Sequence, residues 1–431
     1  MQHRRHRAFG GASGDGPVPA GGVRVGALQP GPVHDRGGHR RGNQPRCHIR
    51  TLRSWRDPRR RCVRLTDAAV ATFARHETFH PRYGWFRKAY STAAEDPFVF
   101  GRPDAPVVLG VGKNMVRAIR FWGLAAKLIT EDPAAANRRK PGLLPTRFGH
   151  ALFGESGWDR YMEDPGTLWL LHWLLLAPPS RLPVWWLAFN SFDAVEFSEG
   201  DLEAAVSAQL EMSTWGAPHR SSISKDVGAL LRTYAPAADS SRRSIDDVLD
   251  CPLRDLNLIG RSAATGRLRF TLGAKDSLPP YVAAYAALDW VARSGTGGNT
   301  VTLSRLAHEP GSVGRAFKLD ESELLTVLAP AVAHCEPLGL ASPTGAVQLS
   351  WSEPPEQVAV GLLDAYYGGA ASDDGTLRAG FEGDRPIADD LLEELGLGRN
   401  PDDPLRRLHQ RDVDGAELSS TAGPPAAVAQ R

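Results

Sequence analysis

Few of the residue groups in this chain could do chemistry by type and spacing. His76-Glu77-Thr78-Phe79-His80 fits the pattern H-E-x-x-H. On a helix that spacing puts two imidazoles one turn apart, with a glutamate beside them to activate a metal-bound water. Pro81 opposes it, because the residue before a proline is pushed out of the helical region and the helix would end on its second ligand. No third ligand follows at a familiar spacing. The preferred reading is an ion-paired turn in which Glu77 meets Arg75 or Arg82 beside aromatic residues, so no metal is expected. A metal-dependent hydrolase using His76, Glu77 and His80 remains the rival.

Gly110-Val111-Gly112-Lys113-Asn114 has the glycines of a phosphate loop, but the motif's first glycine would fall on Val107 and its Ser/Thr on Asn114. A nucleotide site is not expected, and no cofactor is. Ser222-x-x-Lys225 has the spacing of a serine nucleophile and its lysine, yet no Ser-Asp-Asn or Lys-Thr-Gly element accompanies it. Ser221 or Ser222 reads instead as a helix cap. His172, inside a run of tryptophans and leucines, reads as a satisfied core histidine rather than a catalytic imidazole.

The glycines at 110 and 112 make more sense as the turn of a helix-turn-helix. Lys113, Arg117, Arg120 and Lys127 then share one face at near-helical spacing, while Met115, Ile119 and Trp122 share another. A basic stripe backed by an apolar one is what a helix needs to lie against DNA. The candidate nucleic-acid contacts are Lys113, Asn114, Arg117, Arg120, Lys127 and Arg82; no catalytic residue is assigned. Pro106 weakens the first half of the motif.

The elements that must position these residues follow from periodicity. Residues 107–129 give a short apolar run, a glycine turn and a long helix; 199–212 give an amphipathic helix and 221–234 a capped one. Residues 168–177 (LWLLHWLLLA) stop at Pro178-Pro179, well short of the roughly 18 apolar residues a membrane helix requires, and read as a buried helix. Residues 281–293 read as a helix, 300–303 as a strand, 304–308 as a helical turn, 321–335 as a helix and 338–351 as a hairpin. That order is a winged helix with the hairpin as wing. The expected class is mainly α (α+β), with helix-turn-helix and winged-helix-like elements, short strands and disordered termini. The expected divisions are 1–64, 65–270 with its helix-turn-helix segment at 104–129, 271–367, and a flexible acidic tail 368–431 carrying one helix near 387–395.

Charge separates these divisions. The 431 residues carry 51 Lys and Arg against 49 Asp and Glu, a net +2. Residues 1–64 contribute +12, with 15 Arg, no Lys and 3 Asp among glycines, prolines and histidines. This reads as a disordered stretch of GC-rich frame translated upstream of the true start, with a basic arm for nucleic-acid phosphates as the alternative. Residues 65–140 carry 12 basic and 7 acidic side chains, whereas 141–359 carry 17 and 25, so phosphate contacts belong in the first third. The longer helix of the winged unit opens with Asp320, Glu321 and Glu323 and would repel phosphate; it reads as a scaffold or protein-docking surface. Four scattered cysteines exclude a zinc knuckle and a disulfide framework, and the N-terminal residues lack the apolar region of a secretory signal, so a cytoplasmic protein is expected.

Seven blocks in order carry a family resemblance: residues 75–79 (RHETF), 82–85 (RYGW), 109–120 (LGVGKNMVRAIR), 167–176 (TLWLLHWLLL), 224–227 (SKDV), 251–253 (CPL) and 314–320 (GRAFKLD). Over about residues 71–367 the chain resembles the bacterial family known as domain of unknown function 4007. The resemblance implies a place beside phosphoadenosine-phosphosulfate-reductase-like proteins in DNA phosphorothioation and phage-defence islands. It implies no catalytic residue and no fixed histidine at His80. The chain lacks the cysteine cluster that sulfur transfer needs. The expected function is therefore that of a non-enzymatic, DNA-associated component that docks a partner, with a protein-only adaptor as a further alternative.

Overall fold

In the computed structural model, residues 65–133, 141–216, 218–236, 251–295, 297–343, 345–368, 377 and 379–387 are described. The predicted helix near 387–395 lies outside them, apart from Ile387. The class is α+β: among the described residues there are fourteen α-helices and small antiparallel sheets. No helix of the described residues is long and apolar enough to cross a membrane.

The centre is made by two helices that are apolar on every side. Pro165–Leu176 (α6) and Pro183–Asn190 (α7) bury nearly every residue, including Trp169, Trp173, Trp185 and Trp186. A helix with no polar stripe must be surrounded. Asp164 caps α6 by accepting the Gly166 amide, and Pro165 supplies the fixed φ of a first helical position. His172 is wholly buried there, its Nδ1 2.7 Å from the Tyr234 hydroxyl and its Nε2 3.0 Å from the Ala316 carbonyl oxygen. Burial lowers its pKa to about 4. It is a satisfied core residue.

Around this centre the first half of the chain contributes Leu65–Ala68 (α1), Trp85–Glu95 (α2), Ala105–Leu109 (α3), Lys113–Ala125 (α4), Arg147–Phe153 (α5), Glu199–Glu211 (α8) and Arg220–Tyr234 (α9). Ile129–Glu131 (β1) pairs antiparallel with Leu143–Pro145 (β2), and Ile259–Arg261 (β3) with Leu268–Phe270 (β4). These strands are three residues long and leave little period-2 signature; β1, β2 and β3 go beyond the sequence reading. The α9 cap differs from expectation. Its N-cap is His219, whose Nδ1 accepts the Ser221 amide, so Ser221 and Ser222 lie inside the first turn.

The second half runs Pro280–Ser294 (α10), Thr300–Thr302 (β5), Leu303–His308 (α11), Val313–Phe317 (α12), Glu321–Ala333 (α13), Leu338–Ala341 (β6), Gln348–Trp351 (β7) and Pro355–Tyr367 (α14). The three strands form one sheet in the order β5-β7-β6. Both α12 and α14 go beyond the sequence reading; α14 packs along α10. Residues 379–387 fold back onto the body. Asp289 is fully buried, accepting from Trp173 Nε1 at 2.7 Å, Arg293 Nε at 2.8 Å and the Gly380 amide at 2.6 Å. Arg293 continues to Asp384 at 2.7 Å. The Ile387 amide donates to the carbonyl of Pro145, the last residue of β2.

Candidate nucleic-acid interface

The expected turn exists and its geometry follows from its glycines. α3 ends at Gly110, φ 65°, a left-handed cap that costs a residue without Cβ nothing. Pro106 is tolerated because it sits in the first turn of α3, where its missing N–H leaves no helix bond unmade. Lys88 of α2 donates from Nζ to the Leu109 carbonyl at 3.0 Å and ties this turn to the body. Gly112 then opens α4 with no side-chain cap and no acidic residue in its first turn. The helix dipole therefore reinforces Lys113 instead of being neutralised by a carboxylate.

One face of α4 is buried through Val116, Ala118, Ile119, Phe121, Trp122 and Leu124. Gly123 lets α2 approach closely: a Cβ there would stand 2.5 Å from that of Ala89. The other face carries Lys113, Asn114 and Arg117, all exposed, and the half-exposed Arg120. These four sequence candidates stand together. Arg82 is not on this helix: it lies in the loop before α2, half-buried with its guanidinium 5.8 Å from the Trp85 ring centre. Lys127 does not join them. The helix ends at Ala125, and Lys127 takes φ 59°, which turns its side chain inward. Its Nζ donates to the Leu174 and Ala177 carbonyls at 2.8 and 2.7 Å, closing the end of α6. Burial pushes its pKa down to about 7. Near-helical spacing from Arg120 placed it on the face; the early end of the helix removes it.

The H-E-x-x-H segment forms no helix. Ala74, Glu77 and Thr78 take φ of 53°, 51° and 67°, so His76 and His80 do not occupy successive turns. His76 is buried, with Nε2 2.6 Å from Asp226 Oδ1. The same carboxylate oxygen accepts the Ala74 amide at 2.8 Å, and the His76 ring stacks on Trp122 with the planes 27° apart. Trp122 Nε1 donates to the Phe79 carbonyl, and Arg232 of α9 to that of Thr78. The segment is thus a strut between α4 and α9. Among the described residues no group of three or more His, Cys, Asp or Glu is arranged to hold a metal ion.

Three acidic residues shape this face: Glu77, which pairs with Arg117 where Arg75 or Arg82 is the expected partner, and Glu131 and Asp226, which the sequence reading did not single out. Glu77 reaches Arg117 Nη1 at 3.5 Å, Glu131 reaches Arg120 Nη2 at 3.0 Å, and Asp226 anchors the strut. Glu77 stood in the H-E-x-x-H pattern and Asp226 was a carboxylate among the apolar positions of a helix, whereas Glu131 had no local signal. The counterpart in the second half has the opposite sign. Asp320 caps α13 by accepting the Glu323 amide at 2.9 Å, and Glu323 accepts the Asp320 amide at 2.8 Å, with Glu321 beside them.

Residues 73–367 match the family described as "Protein of unknown function (DUF4007)". A solved structure described as "SspB crystal structure" is 36% identical, with a TM-score of 0.68, covering 77% of this chain and 98% of that one. Another, described as "Magnesium ion-bound SspB crystal structure", is 38% identical with a TM-score of 0.67, covering 72% and 91%. A comparison with curated proteins gives no match.

Proposed function

This chain belongs to the DUF4007 family, and from that premise we propose that it is a non-enzymatic, DNA-associated component of a phosphorothioation-type DNA-modification or phage-defence system, acting in the cytoplasm. The observation that carries the DNA contact is α4. Its N-terminus is uncapped, Lys113, Asn114, Arg117 and Arg120 face outward, and its other face is fixed by buried tryptophan. Rigid placement of cations spaced along one helix face suits the regular spacing of duplex phosphates.

The unit from α10 to β7 reads as a winged helix with the β6–β7 hairpin as wing. Helix, strand, helices and hairpin in this order, with strand order β5-β7-β6, support it. Its acidic opening suits a protein partner such as a phosphoadenosine-phosphosulfate-reductase-like protein, as the family resemblance implies, and opposes a second duplex contact.

Fluorescence anisotropy of a labelled duplex tests the reading. Reversing Lys113, Arg117 and Arg120 to Glu together should weaken binding on the order of a hundredfold and flatten the slope of log affinity against log salt by about 3. Unchanged binding overturns it.

A metal-dependent hydrolase is the second reading, favoured by the magnesium ion named for one similar structure. Magnesium selects oxygen ligands, whereas His76 is committed to Asp226. Cleavage of supercoiled DNA by the purified chain with magnesium, lost in Glu77→Gln, would support this reading over the first.

A further inference from the structure

Both arginines that α4 turns outward already hold a carboxylate in the free protein. Arg117 is paired with Glu77 and Arg120 with Glu131, and all four side chains are 33–54% exposed, where ion pairs add little stability. Stability alone is a poor reason for either pair.

The carboxylates come from two separate elements, and each is held in place. Glu77 sits in a stretch of five residues, 74–78, with three non-glycine residues in the left-handed region. Such backbone persists only where its surroundings over-determine it, and it concentrates at functional sites. Here the surroundings are the His76–Asp226 bond, the Asp226–Ala74 bond and the Arg232–Thr78 bond. Glu131 ends β1, with its backbone set by pairing to Leu143. Its carboxylate is flanked electrostatically by Arg120 and Arg181; the latter's guanidinium is lowered in pKa chiefly by burial and raised in part by Glu131. A carboxylate among guanidiniums stands where a bound phosphate would. Lys113, by contrast, has no ion pair among the described residues.

We propose that Glu77 and Glu131 are built-in stand-ins for DNA phosphates, which occupy the α4 arginines until duplex displaces them and so suppress binding to backbone charge alone. This rests on the reading of α4 as a DNA contact. A duplex that offers only phosphates must compete with both carboxylates, whereas one that also gives Lys113 and Asn114 base-edge partners gains contacts the carboxylates do not oppose.

The full-length chain serves for the test, with a labelled duplex of mixed sequence titrated at several salt concentrations. Glu77→Gln and Glu131→Gln should each tighten binding about threefold and the double variant about tenfold, with the largest gain at low salt. Glu211→Gln, an exposed position on α8, removes the same charge away from α4 and should change affinity by less than about twofold. A double variant no tighter than Glu211→Gln overturns the proposal. If reversal of the three α4 cations still weakens binding in that case, only the stand-in role falls; if that reversal is also silent, the DNA reading falls with it. Thermal melting of each variant shows whether the fold is kept.

Discussion

Two helices of this chain follow short helices and tight turns, and their openings have opposite chemistry. α4 begins Gly112-Lys113-Asn114 with its first amides uncapped; α13 begins Asp320-Glu321 with both ends of a capping box closed. The first opening presents positive charge and a positive helix end, and the second has neutralised its own dipole and added negative charge. A helix after a turn is therefore not enough to predict DNA contact. The charge and capping of its first turn decide which of the two could meet phosphate.

The largest effect expected tests whether the second half is scaffold. Asp289→Ala leaves the Arg293 guanidinium buried with one partner fewer and should lower stability by about 3–5 kcal/mol in denaturant titrations. Duplex affinity of the folded protein should stay the same; a parallel loss would blur the distinction between the two regions.

Next comes a pH effect inside each region. Burial brings the Lys127 and Lys318 ammonium groups down to about 7, from an ordinary 10.5. Between those values the unfolded chain binds the proton and the folded chain does not, so each lysine's burden on stability is relieved as pH rises through the window and returns as it falls toward 7. Relative to Lys127→Met, the wild type should gain on the order of 1–3 kcal/mol between about pH 7 and pH 9.5. The same variant should bind duplex within about twofold of wild type, since Lys127 is off the α4 face.

Smaller effects refine the contrast at α13. Asp320→Ala should cost about 1 kcal/mol of stability by opening the capping box, read from the unfolding midpoint. Glu321→Lys with Glu323→Lys should raise non-specific duplex affinity by only a few-fold, measured by anisotropy. A gain matching the loss from the α4 reversal would mean that net charge, not the α4 geometry, governs binding.

What the sequence made legible follows from how local each signal is. The glycine turn before α4, its basic and apolar faces, and the acidic opening of α13 are all written in neighbouring residues. Lys127 was misplaced because two residues beyond the helix the backbone turns left-handed, a change that helical spacing does not carry. Glu77, Glu131 and Asp226 matter through partners 40, 11 and 150 residues away, and no local pattern marks such pairs. The helix α14 was missed although Pro355 at its start and Val358, Leu362 and Leu363 at helical spacing announce it.

Hydrogen exchange of the full chain with and without duplex reads contact at α4 directly. Duplex should slow amide exchange over residues 107–120 and leave 318–333 unchanged. Slowing confined to 303–351, with 107–120 unchanged, would contradict that contact.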